Sequence, residues 1–208
     1  MYTTPKIIKL TCTQIKRPKL WQNLDLSGAT KPVSRMFLRN AVRYSETAVT
    51  SLTVHRFQHT DVLRNIATAC KSLHTIEILS LPLMLSDTLI EVAQCAINLK
   101  KLIIHTDVTS DTAAQILRYR PSLEHLELKC VLRASVNCAG PFPKLHTLQL
   151  CGKSKESSTD SLFLISLLRQ APALFSLGVT NWGLLVRSSH HILSFLRMSF
   201  QYFAVHKH

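Results

Sequence analysis

The sequence predicts an α/β solenoid, with parallel strands along one face and helices along the other. Three observations carry that prediction. The pattern apolar-x-x-apolar-x-apolar recurs seven times, at intervals of 22 to 29 residues. Segments with the spacing of an amphipathic helix lie between successive occurrences. Prolines stand two residues ahead of the triad at Pro121, Pro143 and Pro172, where they disfavour helix in the residue preceding them.

The triads run Trp21, Leu24, Leu26; Val49, Leu52, Val54; Leu73, Ile76, Ile78; Leu99, Leu102, Ile104; Leu123, Leu126, Leu128; Leu145, Leu148, Leu150; and Leu174, Leu177, Val179. The last two members of each are two apart, the period of a strand with one buried face, and the first marks where the chain enters that strand. Helical stripes follow at Val33, Phe37, Leu38, Val42; Val62, Leu63, Ile66, Ala67; Leu89, Ile90, Val92, Ala93; Ala113, Ile116, Leu117; and Leu162, Leu164, Ile165, Leu168. Several open on a hydroxyl ahead of an acid, at Thr60-Asp61, Ser86-Asp87, Ser110-Asp111 and Thr159-Asp160. There the hydroxyl is expected to cap free N–H groups while the carboxylate meets the positive helix end. The stretch from Cys130 to Phe142 has no stripe and contains Gly140-Pro141, so it is expected to cross as extended chain. Residues 152–159 read as a surface loop.

From Trp21 to Leu174 the chain advances 153 residues in six intervals, a mean of 25.5, inside the range of roughly 20 to 29 typical of leucine-rich repeats. Crossovers between parallel strands are right-handed in nearly all cases. The expected fold is therefore a right-handed horseshoe of about seven repeats, with parallel strands on the concave face and helices on the convex face. Residues 21–181 form the repeat domain on this reading. Segment 1–20 covers its start, and 182–208 is a C-terminal amphipathic cap or tail in which Ile192, Phe195, Leu196 and Ser199 share a helix face.

Composition narrows the function. No run approaches the roughly 18 apolar residues of a membrane span, and the polar, basic start has no long apolar leader, so a soluble protein of the cytoplasm or nucleus is expected. The six cysteines include no C-x-x-C pair and read as reduced thiols. Ten histidines include no H-E-x-x-H, and no G-x-S-x-G or glycine-rich phosphate loop is present. Catalysis, metal and cofactor are therefore not expected. The net charge of +13 admits an anionic partner such as RNA. Beyond the strongly basic first part of the chain, however, the charge is scattered, and Arg35, Arg39 and Arg43 form a solvated helical stripe with or without a partner.

Binding is what remains, and the strands supply the surface. Side chains alternating with the leucines face away from them. The position between the last two triad members reads Asp25, Thr53, Glu77, Ile103, Glu127, Gln149, Gly178, and the position after the triad reads Ser27, His55, Leu79, His105, Lys129, Cys151, Thr180. The candidate partner-binding residues are Asp25, Thr53, His55, Glu77, Lys101, His105, Glu127, Lys129 and Gln149. The plainer reading is a solvated strand face with no partner.

The stretch Arg17-Pro-Lys-Leu-Trp-Gln-Asn-Leu-Asp-Leu-Ser-Gly-Ala29 resembles the junction between F-box and repeats in F-box/leucine-rich-repeat proteins, most closely the fungal type. Cys70-Lys-Ser-Leu73 is similar to the C-x-x-L opening of that family's repeats, and Leu123–Leu128 and Leu145–Leu150 are similar to its strands. The resemblance runs from Pro18 to about Asn181. It implies the substrate-recognition part of an SCF-type E3 ubiquitin ligase, with a protein substrate on the repeats and a Skp-type adaptor on the F-box. Residues 1–20 would be a cap or a remnant of that F-box, lacking an L-P-x-E opening, with Ile7, Ile8, Leu10 and Cys12 as the adaptor-binding positions. The alternatives are a stand-alone repeat scaffold without ligase coupling and a basic repeat domain contacting RNA.

Overall fold

The computed structural model describes residues 22–27, 43, 48–55, 60–80, 86–131, 140–152, 160–180 and 202–206. The chain divides into two compact units, Met1–Leu99 and Lys100–His208. Each is α/β, and every paired strand in each is parallel to its neighbour.

The first unit holds β1 (Asn23–Asp25), β2 (Ser51–His55), α1 (Thr60–Ala69), β3 (Thr75–Ser80) and α2 (Ser86–Cys95). Its strands lie in chain order, with Leu24, Leu52 and Ile76 in one register column and Val54 opposite Ile78. All five side chains are buried. Leu63, Ile66 and Ala67 of α1 and Leu89, Val92 and Ala93 of α2 are buried as well, whereas Ile90 stays half-exposed. The two helices pack on each other. An exposed Arg64–Glu91 pair, 3.0 Å from Nη1 to Oε2, ties them at the surface.

The second unit holds β4 (Lys101–Thr109), α3 (Ser110–Tyr119), β5 (His125–Val131), β6 (Thr147–Gly152), α4 (Asp160–Gln170), β7 (Ser176–Thr180) and β8 (Tyr202–His206), again with strands in chain order. Two apolar columns cross the strands: Leu102, Leu126, Leu148 and Leu177, then Ile104, Leu128, Leu150 and Val179. All eight are buried, and α3 packs over β4 and β5 with Ala113, Ile116 and Leu117 inward. The cap of α3 falls one residue before the expected Ser110. Thr109 is extended, and its hydroxyl accepts the N–H of Thr112 at 3.2 Å, while Asp111 stays in the first turn. A hydroxyl already positioned by the end of β4 caps without breaking the strand early.

β8 lies outside the seven expected strands. Phe200-Gln-Tyr-Phe203-Ala-Val205 repeats the triad 26 residues after Leu174 (200 minus 174), and Phe203 and Val205 take the register positions opposite Leu177 and Val179. The expected stripe Val33–Val42, the crossing at 132–139, the loop at 153–159 and the cap residues Ile192 to Ser199 lie outside the described residues.

Two backbone devices recur. The carbonyl three residues ahead of the triad accepts the N–H of its first member: Cys70 from Leu73, Ala96 from Leu99, Arg120 from Leu123, Phe142 from Leu145, Ala171 from Leu174. The next device joins successive strands. The carbonyl just after the first triad member receives two N–H groups from the following strand. Gln22 takes those of Thr50 and Ser51, Thr50 those of His74 and Thr75, Lys100 those of Glu124 and His125, Glu124 those of His146 and Thr147, and His146 those of Phe175 and Ser176.

Candidate protein-binding face of the strands

Because the leucines point one way, the residues between them are presented on the other face of the strands. In the first unit Asp25, Thr53 and Glu77 fall in one column, as expected. Asp25 is exposed, and its Oδ1 accepts the N–H of Ser27 at 2.8 Å. The Thr53 hydroxyl donates a long bond, 3.4 Å, to Glu77 Oε2. His55 departs from the expected column. An irregularity after Val54 sets it opposite Ser80 instead of Leu79.

The second unit gathers the other five candidates. Lys101 lies opposite His125, which lies opposite Thr147 and then Ser176. The next column reads Ile103, Glu127, Gln149, Gly178, with Ile103 buried in place of a polar group. The third column corrects the sequence reading. Asp107, not His105, pairs with Lys129, because the register shifts between Ile104 and Asp107. Displaced from the column, His105 reaches sideways, and its Nε2 stands 3.0 Å from Glu127 Oε1. Lys129 Nζ lies 3.9 Å from Asp107 Oδ1.

Glu127 is thus the hub of this face. One oxygen meets His105, and the other lies 4.0 Å from His125 Nε2, too far for a hydrogen bond. That nitrogen is buried and has no hydrogen-bond partner. Burial, aided by the Lys101 charge and opposed by Glu127, holds the His125 pKa below its ordinary 6.5. The fold therefore favours the neutral ring. The stability this gives is full above pH 6.5 and is lost as pH falls through the lower folded value. His125→Gln should accordingly lose less of its melting temperature between about pH 7 and about pH 5 than the native chain does. Parallel melting curves for the two proteins would contradict this account of the site.

Asp107, His125, Thr147 and Ser176 are face residues that the sequence candidates omit. The three in the first column were legible, since they stand two residues after Leu123, Leu145 and Leu174. Asp107 carries no comparable signal, because only the bulge brings it into line. Gly178 leaves room for its neighbour: a Cβ there would stand 3.4 Å from Gln149 Cγ.

Ile7, Ile8, Leu10 and Cys12 lie outside the described residues. Cys70 is buried, and Cys95 and Cys151 are half-buried. Among the described residues no group of three or more His, Cys, Asp or Glu is arranged to hold a metal ion, and no helix is long and apolar enough to cross a membrane. No model of a known protein family matches the chain, and no curated protein matches it in sequence.

Proposed function

We propose that the chain is a leucine-rich-repeat solenoid that binds a protein on its strand face, as the substrate-recognition part of an SCF-type F-box ubiquitin ligase in the cytoplasm or nucleus. The observation that carries the binding reading is the segregation of each strand. Apolar side chains stand in buried columns on one side, while Thr53 and Glu77, Glu127 and Gln149, or Asp107 and Lys129 stand in register on the other. A surface of this kind offers area and polar groups without a pocket, which suits a protein partner. The ligase reading rests on the resemblance of Arg17–Ala29 and of the repeat openings.

A pulldown of the purified chain with a Skp-type adaptor tests the ligase reading, with an Ile8→Asp, Leu10→Asp variant alongside. Adaptor retained at high salt by the native chain and lost by the variant is the expected result. No retention at either salt would leave a recognition module uncoupled from ubiquitin transfer. The net charge of +13 favours the RNA alternative, whose signature is an affinity that falls steeply with salt as phosphate contacts release counterions.

A further inference from the structure

The strand face of the second unit is not uniform in how its charges are spent. Glu127 is engaged by His105, and Asp107 stands against Lys129. The column beside them differs. Among the described residues Lys101 makes no ion pair, His125 Nε2 has no hydrogen bond, and the side chains of Thr147 and Ser176 have no partner. These four stand side by side on β4, β5, β6 and β7. Strands lie about 4.8 Å apart, so the row is about 14 Å long. It contains a cation, an imidazole and two hydroxyls, and no carboxylate.

We propose that the row Lys101, His125, Thr147, Ser176 receives an extended, carboxylate-rich segment of a partner protein, and that the segment binds together with a proton on His125. The proposal deepens the protein-binding reading and rests on it. Alternate side chains of an extended peptide are about 6.7 Å apart. Three such carboxylates cover about 13 Å, close to the length of the row, with the first beside Lys101 and the last at Ser176. An arriving anion displaces no existing ion pair, because among the described residues Lys101 is in none. Peptide fits better than RNA: the strand positions of β4 to β7 carry no Phe, Tyr, Trp or Arg on which a base would stack.

The proton follows from the surroundings of His125. From β4 it faces Lys101, with His105 and Asp107 further along. Its own strand adds Glu127 and Lys129, and β6 presents Thr147 and Gln149, with Cys151 at the far end. Lys101 opposes a charge on the ring, and Glu127 favours one. A carboxylate seated beside Lys101 screens that opposition and stabilises the imidazolium. By linkage, acid then strengthens binding of the carboxylate to the same degree.

Fluorescence anisotropy of the whole chain with a labelled peptide alternating Glu and Ser tests this, against its Gln counterpart and a single-stranded RNA of equal length. The Glu peptide should bind roughly tenfold tighter at about pH 5.5 than at about pH 7.5, and the Gln peptide should not bind. Lys101→Gln should weaken binding about tenfold. His125→Gln should remove most of the pH dependence, and His105→Gln should keep it. Equal binding of the Gln peptide, preference for the RNA, a flat pH profile, or a profile that survives in His125→Gln would each overturn the proposal. The readout is separate from the ligase reading. A chain that holds the adaptor and ignores the Glu peptide loses the row alone, and one that takes the peptide without the adaptor keeps it.

Discussion

Leu148→Asp should abolish cooperative folding of the second unit, whereas Gln149→Asp, one residue away, should lower the melting temperature by only a few degrees. Leu148 is fully buried and lies in register between Leu126 and Leu177, which are buried too. An aspartate there has no polar partner within its column, so it must be buried as an unpaired ion or take up a proton. Either route costs on the order of 5 kcal/mol or more, comparable to the whole stability of a domain. Gln149 is exposed on the opposite face, where an added carboxylate keeps its water and, set opposite Glu127, costs no more than about 1 kcal/mol. Thermal melts followed by circular dichroism separate the outcomes. Similar losses for both would mean that the strand faces are wrongly assigned, and the binding surface with them.

Phe142→Ala should lower stability by about 3 to 5 kcal/mol, by loss of transfer free energy and by the cavity left behind. At this place, three residues ahead of the triad, other repeats put Cys70, Ala96, Arg120 or Ala171. The sixth triad's repeat puts a phenyl ring there, and the ring is 1% exposed. Its backbone is fixed as well: the Phe142 N–H donates to the Gln170 carbonyl at 2.7 Å, and its carbonyl accepts from Leu145. The alanine variant keeps both bonds, so denaturant unfolding isolates the ring. Phe142→Leu should recover more than half of the loss. A cost below about 1 kcal/mol for the alanine would show that the surrounding side chains close over the site.

The strands were legible because a two-residue period leaves little freedom. Once Leu126 and Leu128 face the core, Glu127 must face the other way. The helices were legible for a similar reason, as Ile116 and Leu117 fall on the stripe that includes Ala113. What escaped has local causes. The column containing His105 and Lys129 assumes an unbroken register, and the irregularity in β4 moves Asp107 into line instead. The hydroxyl capping α3 belongs to the strand before it, a choice that the Ser110-Asp111 signature does not reveal. β8 was overlooked because its triad is written in Phe and Val amid other aromatic residues. The candidate site was legible as a list of residues and not as chemistry. Which acid is spent on which base depends on the bulge, and with it which row is left unspent.

The carbonyl that receives two N–H groups from the next strand has an evolutionary consequence. β2, β3, β5, β6 and β7 are each clamped where they begin by two main-chain N–H groups on one carbonyl. A side chain adds to the first of these joints, where the Thr50 hydroxyl donates to the same Gln22 carbonyl at 3.1 Å, and the five accepting carbonyls belong to five different residue types. Intervals of 22 and of 29 residues can therefore coexist in one chain, since the excess is absorbed between strands without shifting where they begin. Duplication or loss of a repeat leaves the same joint at the seam. The residues that face outward are then free to diverge one column at a time, so such a surface can change without the chain having to rediscover how to fold.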